Sequence, residues 1–188
     1  MIEVGGSLRG RRVTLTPFGA DDISDRYLGW LSDPDVNQYS RRRLAPPETR
    51  QAAQAFLTSL AAEEQVLAIQ METHGHVGNI KFGPIDRINR RADISILIGE
   101  RAVWGLGVAR EAIHTIGLHL LLKVGLNRVD AGTCNPAFVR SVMTIGWHKE
   151  GVLRERIWLG DHFHDQTLLA LLACDARHRP DLEYRELI

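Results

Sequence analysis

The feature that most constrains this chain is a strand that leads through a glycine turn into a long helix. The strand is predicted over Ala92–Ile98, and the turn contains Gly105 and Gly107. Such a turn leaves unpaired backbone N–H groups at the positive end of a helix dipole, and its glycines let a phosphate reach them. The segment therefore predicts a phosphate-binding turn. The helix that follows is indicated by apolar residues spaced three or four apart, with Gly125 as its stop: Ala109, Ala112, Ile113, Ile116, Leu120 and Val124.

Two common nucleotide-binding motifs do not fit this turn. A dinucleotide fingerprint needs a third glycine three residues after the second, and that position is Arg110. A P-loop needs Gly-Lys followed by Ser or Thr, whereas Val108 and Ala109 follow Gly107. Both nucleotide folds are excluded on the local sequence. A plain helix start that happens to contain two glycines remains the alternative to a phosphate site.

The hydrophobic patterns along the rest of the chain predict an α+β fold. Their order does not repeat β-α-β units, so the expected sheet is mixed and mainly antiparallel, with flanking helices. The other predicted elements are a strand at Val13–Thr16, a helix from Asp21 to Asp33, a helix opened by Pro46 and Pro47, strands Val66–Met71 and Val77–Phe82, strand Arg128–Thr133, helix Pro136–Ile145, and strands His148–Leu153 and Gln166–Cys174.

Charge and length narrow the function classes. A chain of 188 residues suits one domain, since domains most often have about 100–200 residues. The 23 basic and 23 acidic residues give a net charge of zero, which argues against a general nucleic-acid or anionic-membrane binder. The longest apolar stretch, Ile116–Leu126, is broken by His119 and Lys123 and falls short of the ~20 residues that span a bilayer.

The cysteines and the first residues point to a reducing compartment. Cys134 and Cys174 cannot form a disulfide framework, and both are predicted to be buried free thiols beside apolar strands. Residues Met1–Arg12 contain no apolar core of signal-peptide length. We therefore expect a cytoplasmic protein.

Several motifs follow one another in an order that is specific when taken together. The glycine turn reads Trp-Gly-x-Gly-x-Ala-x-Glu from Trp104, and after a helix and a strand come Asn135 and, eleven residues later, Gly146-Trp147. Further matching segments are Trp30–Val36, His76–Ile80, Glu150–Arg154 and Asp165. Over roughly Arg12–Cys174 the chain resembles the GNAT acetyltransferase superfamily, in particular its RimJ/RimL-like branch. The resemblance implies a single GNAT acetyltransferase domain over residues 1–188, with its core at about 12–175.

The resemblance also implies acetyl-CoA as co-substrate. In this family the pyrophosphate binds the amides of the glycine turn, and the pantetheine arm lies beside the preceding strand where the sheet splays. Asn135 matches the asparagine that usually contacts the cofactor arm. The implied cofactor-binding residues are Leu97, Ile98, Gly99, Val103, Trp104, Gly105, Leu106, Gly107, Val108, Ala109 and Asn135.

Three positions depart from the family pattern. The residue three before the first glycine is Ala102 instead of Gln or Arg, and the residue three after Asn135 is Phe138 instead of Ser. The position at which some relatives carry a tyrosine acid is Val142. Cofactor binding tolerates these changes because most of its contacts are backbone groups, but no general acid is assigned.

Two carboxylates are candidate catalytic bases. The reaction requires a neutral primary amine, so a base or a water relay must remove a proton from the protonated form. Asp93 opens the central strand, where related enzymes often place a carboxylate, although a strand-start aspartate also commonly pairs with an arginine such as Arg90. Glu100 is the second candidate, and Glu111 is assigned a structural role near the start of the helix. No metal site is predicted. The histidine pairs His74/His76 and His162/His164, the second flanked by Asp161 and Asp165, have no Cys or His partner at motif spacing.

An arginine run is the main acceptor-side feature. Only three of the 23 basic residues are lysines, and three of the arginines are adjacent: Arg41, Arg42 and Arg43. In GNAT folds the segment between the first two helices overhangs the acceptor, so these arginines suggest a phosphate or carboxylate on the substrate. A solvated surface run is the alternative. Asn79 is a further candidate for binding the acceptor.

The resulting hypothesis is an acyltransferase that moves an acetyl group to a primary amine by direct attack in a ternary complex. The favoured acceptor is a small anionic amine such as an amino-sugar nucleotide. The alternatives are the N-terminal amine of a protein, or a CoA-binding sensor without turnover. Neither a nucleic-acid nor a membrane partner is expected, and a homodimer is left open.

Overall fold

The strands of the chain assemble into one mixed sheet. The computed structural model describes residues 4–177 and 185–186. Over those residues the sheet has nine strands in the order β7-β8-β6-β5-β4-β3-β2-β1-β9. Only the β5–β6 pair is parallel. The strands are β1 (Leu8–Arg9), β2 (Val13–Pro17), β3 (Gln65–Met71), β4 (Gly75–Phe82), β5 (Arg91–Ile98), β6 (Arg128–Thr133), β7 (His148–Trp158), β8 (Phe163–Leu172) and β9 (Arg185–Glu186).

Helices flank this sheet, which confirms the predicted α+β fold. The long helix α3 is continued by a π-helical segment at His119–Lys123, and Gly125 follows it with a φ of 83°. Short 3-10 turns lie at Ala20–Asp22, Arg41–Leu44 and Arg101–Val103. The helices are α1 (Asp25–Ser32), α2 (Arg50–Thr58), α3 (Val108–Leu118), α4 (Pro136–Met143) and α5 (Ala173–Arg177).

The sheet opens between β5 and β6, as predicted. These two strands are paired only from Arg91 opposite Arg128 to Asp93 opposite Asp130. Beyond that point β5 stays paired with β4 as far as Ile98, while β6 stays paired with β8. The second halves of β5 and β6 therefore separate, and the edge of β5 that faces β6 is left without a strand partner.

Packing of the helices fixes both walls of this opening. The apolar side of α3 is buried through Ala112, Ile113 and Ile116, each at most 1% exposed, so α3 begins at the cleft and is held against the sheet. Burying one such side chain contributes about 1.5–3 kcal/mol. On the acceptor side, Tyr27 and Trp30 of α1 pack with Ala53 of α2 in a second apolar cluster, which holds the segment between these helices.

The first two helices begin later than the sequence predicted. Asp21 and Asp22 lie in a 3-10 turn, and α1 starts after Ser24, whose hydroxyl accepts a hydrogen bond from the Tyr27 N–H. The prolines precede α2, which starts after Thr49, because the Thr49 hydroxyl caps the Ala52 N–H. Capping hydroxyls decide both starts, since they satisfy N–H groups that have no partner within the helix.

The last two strands also differ from their predicted bounds. β7 continues to Trp158 because two irregularities in its pairing with β8, after Lys149 and after Leu153, break the alternation that sequence patterns detect. β8 ends at Leu172, whose N–H donates to the Asp175 carboxylate as the chain turns into α5.

The cysteine prediction was wrong in its burial. Cys174 is exposed because it lies on α5 and not in the final strand, and Cys134 is only partly buried at the end of β6. Among the described residues, no helix combines the length and apolar character required to cross a bilayer.

Candidate active site

A cleft of about 1920 Å³ occupies the gap between the separating strands. It is lined by β5 and β6, by the start of α3, by α4, and by the segment between α1 and α2. Its far end reaches the β7–β8 hairpin. Pockets for drug-sized ligands have about 300–1,000 Å³, so this space suits a larger molecule or two ligands together.

One end of the cleft is formed by the glycine turn. Gly105 and Gly107 have φ angles of 78° and 80°, which L side chains rarely adopt. Gly107 is the N-cap of α3 and supplies no side-chain cap, so the first N–H groups of α3 are not satisfied by a capping side chain. The positive end of the helix dipole adds to the attraction for an anion there.

Two arginines border this turn. A Cβ atom built on Gly107 would lie 3.2 Å from Nη2 of Arg110 and 3.3 Å from Nη2 of Arg12. Arg110 also lines the cleft, and Arg12 is held by the Glu111 carboxylate at 3.1 Å. Sequence reasoning used Arg110 only to exclude a dinucleotide fold. Its position three residues into α3, facing back to the turn, was the signal for an anion-binding role.

Most of the predicted cofactor residues lie on this cleft. Three do not line it: Gly99 lies against the Trp30 ring, Val108 is buried in the core, and Leu106 is half-exposed outside it. The need for close packing against Trp30 therefore explains the glycine at position 99. The predicted residues that line the cleft are Leu97, Ile98, Val103, Trp104, Gly105, Gly107, Ala109 and Asn135.

The open edge of β5 presents the backbone groups of Ile98 to the cleft. The Ile98 carbonyl accepts a hydrogen bond of 3.0 Å from the indole N–H of Trp104, and both residues line the cleft. The neighbouring Leu97 carbonyl lies against Gly78 of β4 instead. Because successive residues of a strand present their polar backbone groups to opposite edges, the groups of Ile98 are the ones available to a ligand.

Asn135 is the N-cap of α4. Its side-chain oxygen accepts hydrogen bonds from Ala137 N–H at 2.9 Å and Phe138 N–H at 3.3 Å. The side-chain NH₂ group has no recorded partner within residues 4–177. Asn135 can therefore cap α4 and donate to a ligand in the cleft at the same time.

Helix α4 does not present to the cleft the position at which some relatives carry a tyrosine acid. Val142 is fully buried in the core, so no side chain at that position reaches the cleft. Phe138 and Ser141, one helical turn apart, line the cleft instead. The sequence did not predict Ser141, because the family pattern places its hydroxyl groups at positions 138 and 142.

Asp93 lies at the last paired position before β5 and β6 separate. It lines the cleft and is exposed there, although the surrounding protein atoms partly desolvate its carboxyl group. Burial raises the pKa of Asp93 to about 6, with a further upward contribution from Asp130, while Lys81 and Arg91 act in the opposite direction. A carboxylate with this pKa is ionised at neutral pH and is a much stronger proton acceptor than an ordinary aspartate.

Asp130 is opposite Asp93 in the parallel ladder and is held by arginines. Arg128 donates to Asp130 and pairs with Glu150 of β7, and Arg91 approaches Asp130 at 3.5 Å. Because these arginines neutralise Asp130, two carboxylates can lie side by side at the root of the cleft. Sequence reasoning did not find Asp130, since only the strand register reveals its partner.

The other two carboxylates are engaged in structural contacts. Glu100 is paired with Arg26 and accepts a hydrogen bond from Ala102 N–H, and these contacts lower its pKa. It is not among the residues that line the cleft, so the geometry does not favour it as a base. Glu111 accepts hydrogen bonds from the backbone N–H groups of Arg12 and Val13, which ties the start of β2 to α3.

The arginine run forms the 3-10 turn Arg41–Leu44, and its three members have different surroundings. Arg41 and Arg42 line the cleft, whereas Arg43 does not. Arg42 is paired with Glu48, and Arg43 acts electrostatically on Asp161 at the tip of the β7–β8 hairpin. Arg41 lines the cleft and has no ion pair within residues 4–177, so its charge is available to bind a substrate.

The predicted acceptor residue Asn79 is buried in β4 and also lines the cleft. Its side-chain NH₂ approaches the Leu67 carbonyl at 3.4 Å, and its oxygen lies 3.1 Å from Nε2 of His76. Both ends of this amide are therefore already engaged. Arg156 of β7 lines the cleft without a recorded ion pair in the described part of the chain, but it lies beyond the predicted end of that strand and was missed.

Comparisons with known proteins identify the family. The family model described as the acetyltransferase (GNAT) domain matches residues 12–148. The uncharacterized N-acetyltransferase p20 of Bacillus licheniformis is 29% identical over 157 residues, covering 79% of this chain and 86% of that protein.

Solved structures agree on the fold. Spermidine N-acetyltransferase from Vibrio cholerae, in complex with CoA and spermine, superposes with a TM-score of 0.77 at 18% identity, covering 88% of this chain and 98% of that one. A GNAT-family acetyltransferase from Bacillus anthracis gives a TM-score of 0.72 at 20% identity, covering 89% and 98%.

The residues present fit acetyl-CoA, the co-substrate of this family. The uncapped N–H groups of α3 and the guanidinium groups of Arg12 and Arg110 form an anion cradle, which a side chain at Gly107 would fill. The unpaired edge of β5 and the free amide of Asn135 lie farther along the same cleft. The chain belongs to the GNAT acetyltransferase family and is an acyltransferase that uses acetyl-CoA.

Proposed function

We propose that this enzyme acetylates a primary amine by direct attack within a ternary complex and that Asp93 accepts the proton of the amine. The observation that carries the proposal is the position of Asp93 at the root of the cleft, where β5 and β6 separate. Burial and the neighbouring Asp130 raise its pKa to about 6. The amine needs a proton acceptor that is ionised at neutral pH, and Asp93 has that property.

The other residues of the cleft divide the remaining tasks. When bound, acetyl-CoA supplies the activated acetyl group. The glycine turn, with Arg110, holds its phosphates, and the open edge of β5 orients its arm beside Ile98. A backbone N–H of β5 near Ile98 is the proposed donor to the thioester oxygen, because a fixed dipole there stabilises developing negative charge.

Asn135 and Ser141 complete the cofactor wall in this proposal. Asn135 donates its free amide N–H to the pantetheine arm. The Ser141 hydroxyl, on α4, lines the same wall of the cleft. A thiolate is a good leaving group, so the transfer proceeds without a strong general acid. This agrees with the apolar Val142 at the position where some relatives carry a tyrosine.

The proposed acceptor is a small amine that bears an anionic group. Support comes from Arg41 and Arg156, which line the cleft without recorded ion-pair partners in residues 4–177. Arg42 and Lys81 contribute less, because Glu48 and Glu64 already neutralise them. The planar donor fork of an arginine matches the geometry of a phosphate or a carboxylate.

An acceptor panel tests the function as a whole. Release of free thiol from acetyl-CoA is measured with amino-sugar phosphates and nucleotides, neutral amino sugars, polyamines and N-terminal peptides. The proposal predicts turnover with an anionic small amine and a weaker response to its neutral counterpart. Turnover with peptides alone would favour the alternative, an N-terminal protein acetyltransferase. Tight CoA binding without any turnover would favour a non-catalytic sensor.

Four further assignments remain proposals. These are membership of the RimJ/RimL-like branch, a single domain over residues 1–188, a cytoplasmic location and a homodimer. The branch is supported by the order of the sequence motifs around Trp104 and Asn135. Light scattering coupled to size exclusion tests the homodimer, since a monomer has a mass of 21.1 kDa and a homodimer twice that mass.

A further inference from the structure

Three potential metal ligands converge at the tip of the β7–β8 hairpin. They are Asp161, His162 and His164, and one ligand atom from each lies within 4.8 Å of the other two. Asp161 Oδ1 is 3.3 Å from Nδ1 of His162 and 3.8 Å from Nε2 of His164. The two imidazole rings have centroids only 4.0 Å apart.

These distances are close to those of a metal site. For bonds of about 2.0–2.1 Å in tetrahedral geometry, two ligand atoms are about 3.3 Å apart. The observed separations need to contract by well under 2 Å to enclose one ion. Neighbouring residues of a hairpin tip can make that adjustment by side-chain rotation alone.

The second observation is an unsatisfied nitrogen within the same cluster. Nε2 of His164 is buried and has no hydrogen-bond partner among the described residues. Leaving such a buried polar atom unpaired costs about 1–3 kcal/mol, so a ligand that reaches it is favoured. The carboxylate oxygen of this cluster, Asp161 Oδ1, lies 3.8 Å from that nitrogen, which is beyond hydrogen-bond distance.

We propose that Asp161, His162 and His164 bind one divalent transition-metal ion of the zinc class. Two imidazoles and one carboxylate are a ligand set that selects zinc and similar ions over magnesium or calcium. Three protein ligands leave a fourth position for water. No metal was predicted here from the sequence, because no Cys or His partner lies at motif spacing from this pair; the structure shows that the flanking Asp161 itself converges on both histidines.

The proposed metal site lies next to the acceptor side of the cleft. Gly160 lies close to Leu44 of the arginine turn, so the hairpin tip packs on the segment that contains Arg41. Phe163, between the two histidines, lines the cleft. A bound ion therefore fixes the tip that borders the acceptor, without touching the proposed cofactor turn.

The charge of Arg43 allows a second test of the proposed metal site. Its guanidinium acts electrostatically on Asp161 and opposes a cation there. Arg43→Gln should therefore tighten metal binding several-fold. An affinity that stays the same or falls in this variant contradicts a site centred on Asp161.

The direct experiment titrates Zn²⁺ into the tag-free full-length protein, freed of metal by a chelator and followed by calorimetry. We expect one ion per chain, and at least about tenfold weaker binding in His164→Gln and Asp161→Asn, since each loses one of three ligands. Co²⁺ in the same site should give visible absorption typical of tetrahedral coordination. His162→Gln, at a side chain that is 64% exposed, should weaken binding as much, and substitution of so exposed a residue is expected to leave the fold intact.

The matched control is His148→Gln. His148 lies 4.0 Å from the Asp175 carboxylate but belongs to no group of three ligands in the described chain. This variant should bind Zn²⁺ as the unmodified protein does. Absence of binding to the unmodified protein at about 100 μM Zn²⁺, or equal binding by all the variants, overturns the proposal. Neither result bears on acetyl transfer, so this proposal and the proposed function fail separately.

Discussion

The cofactor half of the cleft is formed mainly by backbone groups, and the acceptor half mainly by side chains. The cofactor half is formed by backbone: two glycines with positive φ, the uncapped start of α3 and the open edge of β5. The acceptor half is formed by side chains from distant segments, most of them paired with an opposite charge, such as Arg42 with Glu48 and Arg128 with Glu150. Backbone sites bind a constant group, whereas side-chain sites set which molecule is accepted.

Because most charged side chains of the acceptor half are paired, only a few of its charges are available to act on a substrate. On the acceptor side Lys81 is neutralised by Glu64. Asp93 keeps a carboxylate with a raised pKa, and Arg41 keeps a charge without a recorded partner in residues 4–177. Substitutions that damage one half of the cleft should spare the function of the other.

The largest effect is expected for Asp93→Asn. The variant cannot accept a proton, so kcat should fall by about 10²–10⁴-fold, the usual contribution of a general base. The dissociation constant for CoA should stay unchanged, because Asp93 belongs to the acceptor half. Steady-state kinetics and calorimetry measure both quantities. A loss of CoA affinity as large as the loss of kcat breaks the division between the halves.

The converse effect is expected for Gly107→Val. The left-handed φ of 80° disfavours a branched side chain, and the new Cβ would occupy the space beside Arg110 and Arg12. CoA binding should weaken by about 100-fold, roughly 2.7 kcal/mol. Gly105→Ala, with an equally positive φ but open space around the new Cβ, should have a smaller effect. Gly151→Ala, which has neither constraint, serves as the control. Full CoA affinity in a folded Gly107→Val protein would argue against the phosphate turn.

An intermediate effect is expected for Arg41→Gln. Removing the unpaired charge should raise the acceptor KM by about tenfold, the range for a lost charge-assisted hydrogen bond. The KM for acetyl-CoA should not change. Arg42→Gln is the matched control: it should lower the melting temperature by removing the partner of Glu48, with little effect on the acceptor KM. Equal acceptor KM values in both variants and the unmodified enzyme would remove the case for an anionic acceptor.

A smaller effect is expected for Asp130→Asn. Removing this charge also frees Arg91 and Arg128 to interact with Asp93, so the pKa of Asp93 should fall below about 6. The acidic limb of the rate profile should move to lower pH, while the rate at neutral pH changes little. An unmoved limb would show that Asp130 does not act on the base.

The raised pKa also predicts a stability effect of Asp93→Asn. A carboxyl whose pKa is about 3.9 in the unfolded chain and about 6 in the folded one binds more protons when folded between those values. The free energy of unfolding therefore falls as pH rises from about 4 to 6 and stays lowered above it. Thermal melts should show Asp93→Asn more stable than the unmodified protein at pH 7.5 and equal to it at pH 4 or below. A stability gain that is the same at both pH values would rule out this cause.

The fold and the glycine turn could be predicted from the sequence, because both depend on local patterns. The strand before Gly105 and the periodicity after Gly107 define the turn within a few consecutive residues. The acceptor half was predicted less completely. That Arg42 is paired with Glu48, that Asp130 lies opposite Asp93, and that Arg156 reaches the cleft depend on turn geometry, strand register and an irregular β7. No pattern of neighbouring residues in the sequence predicts any of these three contacts.

Boundaries were missed for related reasons. The starts of α1 and α2 depend on the Ser24 and Thr49 side chains and not on apolar spacing. The apolar run at the end of β8 continues into α5, which is why Cys174 was assigned to a strand.

The pH dependence of kcat/KM for the acceptor amine tests whether Asp93 is the proton acceptor. In the unmodified enzyme, the slope of log kcat/KM against pH should increase by one below about pH 6, because Asp93 becomes protonated there. The residual activity of Asp93→Asn should lack this additional slope. An identical acidic limb in both proteins would contradict the account.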